Sequence, residues 1–136
     1  MQTIFESMYV SEFAVDADPA EIAKIVRVSR ANNLIAGLTG VLMFDGSHFC
    51  QQLEGAEDAV RHTMARIAAD ARHTHFQPLH EGQIGFKRRF HVWQVGILAP
   101  DGPSPLLLCT SLRGIAAVEH LMSVYRGSGQ FGLHVV

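Results

Sequence analysis

The sequence predicts an α+β fold, a mixed sheet carrying two helices on one face, and three observations lead there. Residues 18–31 and 56–69 each repeat apolar groups at three- and four-residue steps, the period of a helix buried along one stripe. Around them lie short β-branched and aromatic runs, two of which flank Asp45-Gly46, a strong hairpin signal. Strand, helix, hairpin, helix and two strands follow one another, an order that suggests a sandwich whose sheet is covered by the two helices on one face.

Each element has a local reason. Residues 3–11, TIFESMYVS, read as a first strand with Phe5 and Tyr9 on one face. Asp18 as N-cap, Pro19 at the first helical position and Glu21 reaching back predict a helix running to about Ala31. Its stripe of Ile22, Ile25, Val26, Ser29 and Asn33 is apolar first and polar at its end, where Asn32 and Asn33 would close the helix. Leu38–Phe44 and His48–Leu53 form the hairpin, and alternation puts Phe49, Gln51 and Leu53 on one face. Because Phe49 and Leu53 are apolar, Gln51 is expected to point inward. A second helix over Ala56–Ala69 has Val60, Thr63, Met64, Ile67 and Ala68 as its stripe, with Arg66 and Asp70 spaced to pair on its flank.

Residues 76–86 read as a further strand, Lys87-Arg88-Arg89 as a solvated bend, and Val92–Leu98 as a last strand containing Trp93. The β-α-β-β-α-β-β order is ferredoxin-like. It places one domain over residues 1–98. Pro100, Gly102, Pro103 and Pro105 then break the pattern, and residues 99–136 form an extension whose helix, Ser111–Arg126, ends at Gly127. Ile115, Val118, Leu121 and Met122 give that helix a face to pack on the sheet or on a partner.

At 136 residues the chain suits one domain with a real core. Eleven basic against thirteen acidic side chains give a net charge of -2 with no long run of either sign, which argues against a nucleic-acid partner. No apolar run approaches the roughly 20 residues of a membrane span. Cys50 and Cys109 both sit in apolar surroundings and the amino terminus shows no secretory pattern, so a reduced cytoplasm is expected.

Few constellations suit catalysis. His73-Thr74-His75 has two potential metal ligands but no convincing third, and solvated turn histidines are the simpler reading. Cys50 alternates away from Gln51 and reads as packing. Glu54, Glu57 and Asp58 fall near the start of the second helix, where favouring the helix dipole accounts for them. Gly37-Leu-Thr-Gly40 has the wrong spacing for a phosphate loop and serves the turn into the second strand. What stands out is a set of uncharged hydrogen-bonding groups, Asn32, Asn33, Gln51 and Tyr9, beside residues that read as core. Buried amides need partners, and together these suit a planar polar ligand.

The motifs Tyr9 in M-Y-V-S, Asn32-Asn33, Gly37-Leu-Thr-Gly40, F-C-Q-Q-L-E-G around Gln51, Arg66-Ile67-Ala-Ala-Asp70, Arg72-His73 and Arg89-Phe90-His-Val-Trp93 occur in one order. In that order the chain, from residue 3 to about 98, resembles the BLUF domain, a flavin-binding blue-light sensor. The resemblance implies a non-covalent flavin, usually FAD with FMN or riboflavin as other forms, whose ring enters between the two helices while its phosphates stay towards solvent. Ile25 and Ile67 would sandwich the ring. Asn33 and Asn32 would bond its O4 and N3 edge, and Arg66 with Asp70 or Arg72 would hold the O2 side. Ser29, Phe49 and His73 complete the implied binding set.

The same resemblance makes Tyr9 and Gln51 the photoactive pair, Tyr9 giving an electron and a proton and Gln51 rearranging its hydrogen bonds to yield a red-shifted state. Signal output would pass through Trp93 and the residue two positions on. The family often has methionine there, and this chain has Val95. The resemblance implies a short sensor with no turnover of substrate, relaying its state to a downstream protein or to another copy in a homo-oligomer. A competing reading is a small hydrolase of the acylphosphatase kind on a similar scaffold, but the chain lacks an arginine-bearing glycine loop near its first strand.

Overall fold

The structure, a computed structural model, describes residues 2–14, 18, 20–98, 102–128 and 134–135. The strands are β1 (Phe5–Phe13), β2 (Thr39–Phe44), β3 (His48–Gly55), β4 (His73–Gln83), β5 (Trp93–Ile97) and the short β6 (His134–Val135). The helices are α1 (Glu21–Ala36), α2 (Glu57–Ala68) and α3 (Ile115–Ser128), with a 3-10 turn at Leu107–Ser111. The sheet runs β4-β1-β3-β2-β5-β6. All neighbours are antiparallel except β2 and β5, so the sheet is mixed, as the ferredoxin-like order requires.

Strand alternation sends the apolar residues to two cores. Phe5, Tyr9, Leu42, Phe49, Leu53, Trp93 and Val95 pack with Ile25 and Val26 of α1 and Val60 of α2. Met8, Val10, Val41, Met43 and Cys50 point the other way and meet Leu106, Cys109 and the Ala117, Val118, Leu121 and Met122 face of α3. Ile115, expected in that stripe, is 48% exposed because α3 begins there rather than at Ser111. Cys50 and Cys109 are free thiols with their sulfurs 3.4 Å apart.

The first helix departs from its predicted limits at both ends. Asp18 is not its N-cap: Asp18 Oδ1 accepts the Ala20 N–H at 2.9 Å, making a side-chain turn before the helix starts at Glu21. Pro19 lies outside the described residues. Glu21 does not reach back but accepts from Arg72 at 3.0 Å. At the other end Asn32 and Asn33 do not close the helix, which continues through Ala36 until Gly37, at φ 70°, lets the chain reverse. The Leu38 N–H then returns to the Asn33 carbonyl at 2.9 Å. Gly40 has a different reason: a Cβ there would lie 2.0 Å from the Gln52 carbonyl oxygen.

Two charged segments also differ from expectation. Glu54 does not serve a helix start; it is the fully buried penultimate residue of β3, on the same face as Gln52 and Cys50. Its carboxylate accepts the Arg89 and Phe90 N–H groups, each at 2.9 Å, and the Thr39 hydroxyl at 2.7 Å. Arg89 is not simply solvated. Its guanidinium pairs with the fully buried Glu6, which also takes Gln52 Nε2 at 2.8 Å and His80 Nε2 at 3.1 Å. Buried carboxylates persist only when paired and hydrogen-bonded, and here that requirement ties the loop before β5 to the sheet.

Candidate functional site

On the α1 and α2 face a cleft of about 210 Å³ opens between the two helices. Ile25, Val28, Ser29 and Asn32 line it from α1, Arg66 and Ile67 from α2, and Asp70, Arg72 and His73 from the turn into β4. These positions meet because α1 continues past Ser29 in full helical register, bringing residues 25, 29 and 32 onto one side. Isoleucines from opposing helices, a hydroxyl, an amide and a guanidinium form a donor set that suits a flat heterocycle with a polar edge.

One end of the cleft is braced. Arg72 binds Asp70 at 2.6 Å and Glu21 at 3.0 Å, tying the entry of α1 to the exit of α2. Asp70 therefore pairs with Arg72 and not, as its spacing suggested, with Arg66. The Arg72 guanidinium is the main reason the Asp70 carboxyl is held below the usual range. His73 shares a 2.7 Å hydrogen bond with Ser11 through Nδ1 and lies 4.6 Å from the Phe49 ring. Burial lowers its affinity for a proton, so the imidazole is neutral near pH 7. His75 turns instead to Glu12 at 2.6 Å. The two histidines share no site, and among the described residues no group of three potential metal ligands forms.

Behind the cleft, on β1, β3 and β5, three side chains form one buried chain of hydrogen bonds. Gln51 Nε2 donates to the Tyr9 hydroxyl oxygen at 2.9 Å, and Trp93 Nε1 donates to Gln51 Oε1 at 2.9 Å. The register explains it: Tyr9 sits opposite Gln51 across β1 and β3. Indole can only donate, so the Gln51 atom facing Trp93 must be the amide oxygen and the nitrogen must face Tyr9. Burial is the main cause that pushes the Tyr9 phenol well above its ordinary pKa, so it stays protonated throughout the neutral range. Its ring stacks on Phe76 at 4.8 Å and meets His73 edge-on at 6.0 Å.

Of the predicted residues, Ile25, Ser29, Asn32, Arg66, Ile67, Asp70, Arg72 and His73 line the cleft. Tyr9, Gln51, Phe49 and Asn33 are buried but do not line it. Val95 is buried beside Leu42, its register partner in β2. Sequence reading missed the Trp93–Gln51 bond and the Glu6, Gln52, Glu54 and Arg89 network. A signal for the second exists: Gln52 and Glu54 share by alternation the face of Cys50, which reads as packing.

The family described as "BLUF: Sensors of blue-light using FAD" matches residues 4–96. The blue light- and temperature-regulated antirepressor BluF of Escherichia coli is 36% identical over 66 residues, 48% of this chain. Photoactivated adenylate cyclase subunit beta of Euglena gracilis is 32% identical over 84 residues, 58% of this chain. The matches span 16% and 10% of those two relatives. Among solved structures, the dark state of the BLUF protein BlrB aligns with a TM-score of 0.74 and 30% identity, covering 94% of this chain and 98% of that one. The structure titled BlrP1 BLUF aligns at a TM-score of 0.63 and 28% identity, covering 73% and 66%.

Proposed function

Because the chain belongs to the BLUF family of flavin-binding blue-light sensors, we propose that it is a photoreceptor in which Tyr9 and Gln51 convert absorbed light into a rearranged hydrogen-bond pattern. The observation that carries this is the buried Tyr9–Gln51–Trp93 chain directly behind the interhelical cleft. The flavin, FAD by the family's description, supplies blue-light absorption and an excited state able to take an electron and a proton from a phenol. Ile25 and Ile67 would flank its ring, Asn32 would bond one edge with the buried Asn33 next to it in α1, and Arg66 with Asp70 or Arg72 would serve the other; Ser29 and His73 would complete the wall, with Phe49 packed behind His73. The cleft is smaller than the roughly 300–1,000 Å³ of sites that take whole ligands, which favours entry of the ring alone.

Gln51 is the moving part. Turning its amide over would let its oxygen accept from the Tyr9 hydroxyl but would set its NH₂ against the Trp93 N–H, two donors face to face. The two arrangements therefore differ by whether Trp93 is bonded, a change on the order of 1 kcal/mol. Output through Trp93 and Val95 follows, acting by contacts with a downstream protein or a second copy and without substrate turnover. Residues 1–98 form the sensor and residues 99–136 the relay. The free Cys50 and Cys109 thiols fit a reducing cytoplasm.

Absorption spectra before and after blue illumination test this. The purified protein is expected to be yellow and its flavin band to move reversibly to longer wavelength. Tyr9→Phe and Gln51→Leu should keep the colour and lose the shift. An unchanged photocycle in Gln51→Leu would overturn the assigned role.

A further inference from the structure

Two thiols on the sheet face opposite the cleft have no role in flavin binding. Cys50 of β3 and Cys109 of the 3-10 turn Leu107–Ser111 are fully buried in the same apolar cluster as Met43, Leu106 and Leu121. Their sulfurs lie 3.4 Å apart, Cys50 donating to Cys109. A disulfide has its sulfurs about 2 Å apart, so small side-chain rotations would join the two. Packing alone explains two buried thiols, but these two are not equivalent. The hydrogen bond from Cys50 draws the Cys109 thiol below its ordinary pKa, whereas burial pushes that of Cys50 up. One sulfur is thus the better nucleophile and the other stands beside it as a protonated partner. Cys109 also lies just beneath the surface. Its turn neighbours Leu107 and Leu108 are half exposed, and the turn is closed by the Cys109 N–H to Leu106 at 3.0 Å and the Leu112 N–H to Cys109 at 3.1 Å. Opening that single turn bares the sulfur without unfolding the sheet.

We propose that Cys50 and Cys109 form a redox-modification site, at which a hydroperoxide converts the dithiol into an intramolecular disulfide that fixes the carboxy-terminal extension to the sheet. The Cys109 thiolate attacks the peroxide, whose O–O bond breaks; one oxygen leaves as hydroxide and the other stays on sulfur as a sulfenic acid. The Cys50 sulfur then displaces that oxygen, so that the S–S bond forms, the S–O bond breaks and the oxygen departs as water with the Cys50 proton. The proton released on ionising Cys109 neutralises the hydroxide. Two thiols thereby lose two electrons, and hydrogen peroxide takes them and becomes two waters. A thiol reductant reverses the change. The bridge joins residues 59 apart in sequence. Its formation does not depend on the photochemical reading, although Cys50 adjoins Gln51 in β3.

Treating the full chain with hydrogen peroxide in the dark, then counting thiols by alkylation in denaturant and mapping peptides by mass spectrometry, tests the assignment. Both thiols should disappear together into one Cys50–Cys109 link within a single chain, and dithiothreitol should restore them. Amide exchange at Cys109 and Leu112 should slow at least about tenfold in the bridged form. Cys50→Ala should leave Cys109 as a sulfenic acid that dimedone traps, and Cys109→Ala should make Cys50 at least about tenfold slower to oxidise. Circular dichroism checks that both variants fold; the peptide map and exchange of the unsubstituted chain decide the matter if either does not. Survival of both thiols in the native protein under peroxide that oxidises the denatured chain would overturn the proposal. So would links only between chains, sulfinic acid without a link, unchanged exchange in the bridged form, or equally fast oxidation of Cys50 in Cys109→Ala.

Discussion

At the scale of single residues, this protein is decided by which atoms can only donate. Trp93 presents one N–H and no acceptor, and that fixes the orientation of Gln51, which in turn fixes what Tyr9 receives. Trp93→Phe keeps an aromatic ring in the wall and removes that donor. The Gln51 oxygen is then buried without a partner, and stability should fall by about 1–3 kcal/mol, measured by urea unfolding. The same variant should change how far the flavin band moves on illumination, because the amide is no longer held in one orientation.

At the scale of elements, the strand that carries Gln51 inward carries Gln52 and Glu54 outward, to the face covered by α3. There the carboxylates of Glu6 and Glu54 hold Arg89 and Phe90, three residues short of Trp93, while Arg88 donates to the Glu54 backbone carbonyl. The position of the indole on one face thus depends on ion pairs on the other. Arg89→Ala leaves Glu6 fully buried with only Gln52 and His80 to satisfy it. A cost of about 3 kcal/mol is expected in urea unfolding, and Glu6→Gln in the same background should recover part of it by removing the unpaired charge. Hydrogen exchange at the Arg89 and Phe90 amides should rise in Arg89→Ala even under conditions where the fold persists.

At the scale of the whole molecule, the sheet has a core on each face, and its stability depends on pH through groups on both. His73 is held neutral by burial and Asp70 is held ionised chiefly by Arg72. At Asp45, burial acts to raise the pKa, but the Ser104 hydroxyl and the His48, Ser47 and Leu106 N–H groups outweigh it and hold the carboxyl low. All three shifts are downward, so each stabilises the folded state above the group's ordinary pKa and loses that contribution as pH falls. The histidine acts first: below its ordinary value of 6.5 the unfolded chain takes up a proton that the folded one resists. The carboxylates follow below 3.8. The thermal midpoint is therefore expected to decline in two stages on acidification, and His73→Gln should remove the first stage.

The residues themselves determined the fold class, the hairpin at Asp45-Gly46, the inward face of Gln51 and the ordered motifs that carry the flavin-sensor resemblance. The first three follow from local periodicity or spacing and the last from residue identities in a fixed order, all of which are written in the chain. The end of α1 was not legible, because two asparagines resemble a stop until packing and the left-handed Gly37 show where the backbone turns. The ion pairs at Glu6 and Glu54 were not legible either. Their partners lie 83 and 35 residues away, and a charge reads as solvated until the tertiary structure buries it. Only folding brought Trp93 to Gln51, because contacts between distant segments are set by how the sheet and helices close on one another rather than by any neighbour in sequence.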